Sequence, residues 1–428
     1  MPETESRSEK IDRYRCEIIS NKTIKTYESL IYLYNPSTKL WECWTDEKRK
    51  HFLTIDFLEK EQEDITDGEI QSIISFIRRM TFDEKLGKVL DKRNSTLVPL
   101  DDKVLDVRTG EMRDYDESDF FLSKFHYTSD PLPWICEPEK FLEVLEQLLS
   151  RYHYKQDIIE FLQMAFGLIL VQSNLQPMGL VLWGPPGQGK STIINALIMV
   201  LGDELVLQMN IAELNDQFKR IYLVGKNLLI DDDATEKQDY KSPELKKMIT
   251  GAQLDGRLLF KDVVHFYPYN KVIVASNYQP KLKVSDGAFR RFSVVRIDRQ
   301  SNLKDPTLKK KLFEEKESIF YWLLEGAIKA YQVYESGYEL EQVAPIEIRL
   351  EKGKLSDNEI VVEFVKQCLP TSAKVSNAEI KEARLHFVEN IHYKEWPSKD
   401  ILSLLKQSWY SSYKSNSIRG HNLSRPSN

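Results

Sequence analysis

The sequence predicts an α/β core built on a parallel sheet, and three stretches predict it. Residues 179–201, GLVLWGPPGQGKSTIINALIMVL, run from an apolar strand through a Gly-rich turn into an apolar helix. Residues 228–230 are a short apolar run that ends in Asp231, Asp232 and Asp233, and residues 271–276 are another that ends in Asn277. Such runs have the form of strands buried on both faces, with polar residues at the carboxyl edge where open α/β sheets bind ligands.

The turn identifies the ligand class. Gly184, Pro185, Pro186, Gly187, Gln188, Gly189, Lys190 and Ser191 fit G-x-x-x-x-G-K-[ST] at every fixed position, with Thr192 next in line. Glycines let backbone N–H groups turn inward, and the following helix presents its positive end to phosphate. Lys190 sets an ammonium beside the β- and γ-phosphates, and Ser191 offers a hydroxyl to Mg²⁺. The expected cofactors are therefore ATP and Mg²⁺.

Upstream of this core the chain divides in order. Residues 27–44 alternate apolar and polar around Asn35-Pro36-Ser37-Thr38, a hairpin signal. Tyr32, Tyr34, Trp41 and Trp44 could stack on bases, but aromatics on a strand pair are more often core. Residues 53–80 read as helix, with the acidic run 59–64 expected on a solvated face. A second hairpin is expected over 97–115, turning at Asp101-Asp102 and Thr109-Gly110. From Pro138 to Val171 two apolar-periodic helices, separated near 152–154, lead into the loop.

Composition excludes several classes. At 428 residues the chain exceeds one ordinary core, and about two or three domains are expected. A net charge of -6 excludes a wholesale basic coat, so any nucleic-acid contact must be local. The four cysteines, Cys16, Cys43, Cys136 and Cys368, form no C-x-x-C pair or zinc spacing, which suits reduced thiols in a cytosolic setting. The most apolar run, 161–171, is too short to span a bilayer, so no membrane association is expected.

Past the loop helix, the order of stretches is itself informative: GKNLLIDDDA (225–234), LKKMITGAQLDGRLLFKD (245–262), KVIVASN (271–277) and DGAFRRFSVV (286–295). Together with GPPGQGKST this set resembles the superfamily 3 helicases of the AAA+ class, in particular the helicase part of phage, plasmid and poxvirus-type primase-helicases. Residues 38–44 and 97–114 resemble that family's amino-terminal helicase-associated region. The resemblance implies an AAA+ phosphate-loop core with a central parallel sheet (138–345). An α+β helicase-associated domain (1–137) would precede it, and a small winged-helix domain with a basic tail (346–428) would follow.

Carried over position by position, the resemblance implies that Lys190 and Ser191 serve phosphate and metal, Asp232 the metal and Asp233 the general base. The family usually has Glu at that last position, so Asp231 stays open as the alternative. Asn277 resembles the sensor amide; Arg291, with Arg290 as the nearer alternative, resembles a finger acting on a neighbour's nucleotide. The stretch between acids and amide would form a hairpin gripping single-stranded DNA, with Arg257 and Lys261 for phosphates and Phe260 for stacking. A finger in trans requires a closing head-to-tail assembly, a ring and by resemblance a hexamer.

The carboxyl end reads as two helices within 303–334 that would close over the nucleotide side. Three short amphipathic segments follow at 357–368, 377–390 and 398–409. From Ile401 onward Lys406, Lys414, Arg419 and Arg425 meet no acids. The expectation is an ATP-dependent replicative DNA helicase of a mobile element, acting on single-stranded and forked DNA and moving 3′ to 5′ by family analogy. A separate primase or replication initiator would be its partner. The competing expectation is an ATP-regulated initiator or switch that unwinds little; a small-molecule kinase lacks any lid arginines.

Overall fold

The computed structural model describes residues 5–27, 30–89, 95–129, 137–152, 154–257, 263–280, 291–298, 305–345, 347–349, 374–376, 411–415 and 418–422. It is a mixed α/β protein around a five-stranded sheet.

The chain begins with helix α1 (Arg7–Asn21), whose start is fixed by a reciprocal cap between Ser6 and Glu9. Strands β1 (Ile24–Tyr27), β2 (Leu30–Asn35) and β3 (Leu40–Cys43) form an antiparallel sheet. The Asn35 carboxamide accepts from Ser37 N at 3.1 Å, as an Asx turn requires. Tyr32, Trp41 and Trp44 are buried, so this cluster is core rather than a stacking platform.

Residues 53–80 are not one helix but parts of two, α2 (Asp46–Glu61) and α3 (Asp67–Met80). The break has a local cause: Gln62 takes the left-handed conformation, and Thr66 with Glu69 builds a capping box that starts a new helix. The acidic run is likewise not simply solvated. Glu61 binds Arg13 at 2.9 Å, while Glu63 binds Arg7 at 2.6 Å and Lys10 at 2.5 Å, tying the α2–α3 corner to α1.

After the short α4 (Leu86–Val89) comes a second antiparallel sheet, β4 (Leu97–Pro99), β5 (Val104–Asp106) and β6 (Glu111–Arg113), turning where expected. Helices α5 (Glu139–Leu148) and α6 (Lys155–Gly167) lead to β7 (Gly179–Trp183) and α7 (Lys190–Leu201). Then follow β8 (Val206–Gln208), α8 (Gln217–Arg220), β9 (Leu228–Ala234), α9 (Pro243–Thr250), the antiparallel pair β10 (Leu254–Arg257) and β11 (Val263–Phe266), β12 (Lys271–Ser276) and β13 (Phe292–Arg296). Helices α10 (Leu308–Glu314) and α11 (Lys316–Glu335) close the main body, and β14 (Lys374–Ser376), β15 (Ser411–Ser415) and β16 (Ile418–Asn422) make a separate antiparallel sheet. The three helical segments expected at 357–368, 377–390 and 398–409 lie outside the described residues.

The central sheet has the order β13-β7-β12-β9-β8 with every pair parallel. Both faces are covered, which is why its strands read as continuous apolar runs. Leu180, Leu182, Ile230, Ile273 and Val295 join the α5, α6, α7 and α11 side, whereas Val181, Leu229, Val272, Val274 and Phe292 face the α9 side. The first of these cores continues into the second hairpin sheet: Val98, Leu105 and Tyr127 belong to it, and Tyr127 stacks on Phe320 of α11 at 3.9 Å. Strand β9 does not end before the acids but runs through them to Ala234.

Candidate functional site

The strand order decides what meets at the carboxyl edge. Because β12 lies between β7 and β9, Asn277 at its end falls between the loop after β7 and the acids on β9. Loop and helix are shaped by two glycines in particular. Gly184, at φ 156°, passes so close to the Ile297 carbonyl that no side chain fits. Gly189, at φ 99°, caps α7 where a Cβ would lie 2.5 Å from Leu148. No side chain caps that helix start.

Lys190 is 9% exposed and folds back over the loop. Its Nζ donates to the Gly184 carbonyl at 2.6 Å, to the Pro185 carbonyl at 3.0 Å and to Asn277 Oδ1 at 2.9 Å. Burial pulls its pKa below the ordinary lysine value. Among the described residues all three acceptors are neutral, and none of them offsets the ammonium's charge as an anion at the loop would. Gly187 and Ser191 face solvent, as do Pro185 and Pro186, while Gln188 and Thr192 are half-buried.

The three aspartates are not equivalent. Between Val274 and Ser276 the β12–β9 register slips, so that Asp232 and Asp233 together face a single residue of β12. The bulge breaks the alternation: Asp232 and Asp233 are exposed and Asp231 is 3% exposed. Asp231 Oδ2 accepts the Ile211 N–H at 3.0 Å, and burial raises its pKa. Asp231 thus fastens the neighbouring segment, which leaves Asp232 and Asp233 as the acids available to a ligand.

The oxygens exposed at this edge are of the hard type that Mg²⁺ takes. Ser191 in the first turn of α7 and Asp232 at the strand edge are exposed hard oxygens, and Mg²⁺ takes few protein ligands beside water and phosphate.

Arg291 sits elsewhere. Its carbonyl accepts from Gly179 N at 2.8 Å, at the start of β7 and so at the opposite edge of the sheet from the loop. About 13 Å of strand separates the two edges. Arg257 ends β10 opposite Val263; Phe260, Lys261 and Arg290 lie outside the described residues.

One contact at the loop was not anticipated. Arg296 and Trp183 are register partners on β13 and β7, the guanidinium 4.8 Å over the indole and 3.0 Å from Asp298. It carries no signal in the sequence, because the pairing of strands more than a hundred residues apart has no local pattern. Among the described residues no helix is long and apolar enough to cross a membrane.

Residues 182–291 match a family model described as a family of unknown function (DUF5906), which spans the loop, the acids, the hairpin and the amide. No curated protein matches the chain. Among solved structures, the A form apo structure of the NrS-1 C-terminal region is similar at a TM-score of 0.47 and 13% identity, covering 96% of this chain and 98% of that one. Another apo structure of that region, spanning 305–718, gives 0.46 and 13%, covering 98% and 100%.

Proposed function

We propose that the chain is an ATP-driven DNA helicase with an AAA+ core, working as a ring on one strand in DNA replication. One observation carries the reading: across 87 residues of sequence, the Lys190 ammonium and the Asn277 amide come within 2.9 Å, at the sheet edge that also bears Asp232 and Asp233.

Lys190 would exchange its carbonyl partners for the β- and γ-phosphates, gaining charge-assisted bonds in place of neutral ones. Asn277, already against that ammonium, would hold the attacking water in line, and Asp233 would accept its proton. Ser191 and, through water, Asp232 would hold Mg²⁺, whose charge when bound offsets that of the phosphates. Arg291, a strand's length from its own loop, would complete the site of a neighbouring copy. The β10–β11 hairpin with Arg257 would touch the DNA backbone, a sequence-tolerant contact suited to a motor.

The test is a forked-DNA unwinding assay with 3′ and 5′ tails, run beside Asp233→Asn. Wild-type protein should open the fork with ATP and favour the 3′ tail. Asp233→Asn should bind ATP and not hydrolyse it, since the amide cannot take the proton. ATP-dependent DNA binding without opening of either fork would favour the initiator reading instead.

A further inference from the structure

Between the acid-bearing strand and the hairpin runs a set of contacts that the proposed reaction does not use. Asp231 accepts the Ile211 N–H at 3.0 Å, and that N–H opens the tight turn Ile211–Asn215. The Leu214 carbonyl of the same turn accepts from Arg220 Nη1 at 3.0 Å. From the same guanidinium, Nε donates to the Asp255 carbonyl and Nη2 to the Asp255 carboxylate, each at 2.6 Å. Arg220 is 6% exposed, so one buried side chain clasps β10 by main chain and side chain together. The strand also sits hard on this segment, since a Cβ on Gly256 would lie 3.1 Å from Ile221 Cα.

We propose that Arg220 is a positioning residue that couples the acid-bearing strand β9 to the β10–β11 hairpin through residues 211–223. Nucleotide at the acids and DNA at the hairpin would then each alter the other's affinity. The inference rests on the reading of the site as an ATPase and of the hairpin as the DNA element. A planar guanidinium fixes direction as well as distance, so a shift at Ile211 passes to Asp255 instead of being absorbed. Coupling between two ligands is reciprocal by necessity.

The test uses the full chain, wild type beside Arg220→Lys, Asp255→Asn and Gly256→Val. ATP hydrolysis is measured with and without oligo-dT, and oligo-dT affinity with and without a non-hydrolysable ATP analogue. Hydrolysis without DNA should stay within about twofold of wild type, while stimulation by oligo-dT and the nucleotide effect on affinity fall about fivefold or more. Arg220→Lys combined with Asp255→Asn should be no worse than Arg220→Lys alone. Asp255, whose side chain is 38% exposed, keeps the proposal testable should the arginine variant fail to fold.

Full stimulation in folded Arg220→Lys and Gly256→Val would overturn the coupling. So would loss of DNA-free hydrolysis in step with stimulation, which would make Arg220 a scaffold of the ATP site. A wild-type protein that hydrolyses ATP and ignores oligo-dT would sink the hairpin reading and the coupling together. One that does not hydrolyse ATP at all would sink the ATPase reading itself.

Discussion

Lys271 places a charge among neutral acceptors, with no opposite charge paired to it among the described residues. It starts β12, is 1% exposed, and donates to the Ser173 carbonyl at 2.7 Å, Asn174 Oδ1 at 3.0 Å and the Gln176 carbonyl at 3.3 Å. Burial among neutral acceptors lowers its pKa from 10.5 to about 7. The folded protein then releases this proton near neutrality while the unfolded chain holds it to higher pH. The unfolded state binds more protons over that interval, so stability rises with pH, by at most about 1.4 kcal/mol per unit. Urea midpoints at pH 7, 8 and 9 should climb in wild type and climb less in Lys271→Met; parallel profiles would refute the assignment. Little of this was legible in the sequence, where Lys271 is the polar start of an apolar strand. The acids show the same limit, since Asp231, Asp232 and Asp233 are identical in sequence and are told apart only by the bulge opposite β12. Lys190 was legible because its motif is contiguous.

Two glycines decide how helices α6 and α11 meet. A Cβ on Gly167 would lie 2.5 Å from the Leu323 carbonyl, and one on Gly326 would strike the backbone of Gln163. Backbone cannot rotate aside as a side chain can, so the contact has no room to relax. Gly326→Leu should therefore cost about 1–3 kcal/mol or more by overpacking. Gly68, in α3 with nothing within 4 Å of an added Cβ, is the control: Gly68→Ala should be neutral or stabilise by up to about 1 kcal/mol. Denaturant midpoints for the pair check both signs, and equal effects would refute the close-approach reading. Both helices were legible from apolar periodicity, and both hairpins from alternation and turn residues. Their mutual packing was not, because Gly167 and Gly326 are far apart in sequence. The split between α2 and α3 was legible in principle from Thr66 and Glu69, a capping box inside an otherwise continuous helical pattern.

At the scale of the whole molecule, the sheet holds Arg291 and the phosphate loop at opposite edges, and an arginine cannot span that strand length to its own Lys190. If Arg291 takes part in hydrolysis, it does so in another copy, and repeated head-to-tail contacts of this kind make a ring when their rotation closes and a filament when it does not. The order of motifs made the sheet legible, but the edge on which Arg291 sits follows from the parallel β13–β7 register, which no single stretch encodes. Arg291→Ala should fold, bind ATP and assemble, yet lose hydrolysis by on the order of 10³ or more if it acts as other arginine fingers do. Lys190→Ala should also be inactive, for want of the ammonium at its own loop. Mixing the two inactive proteins creates interfaces with an intact loop on one side and an intact arginine on the other, so partial ATPase activity should return. A monomer cannot recover in this way. Subunits that demonstrably exchange and stay silent, or an Arg291→Ala protein that is fully active while Arg290→Ala is not, would move the finger to another residue. Light scattering with ATP and single-stranded DNA belongs beside the mixing, because a chain that stays monomeric there removes the ring on which a trans arginine depends.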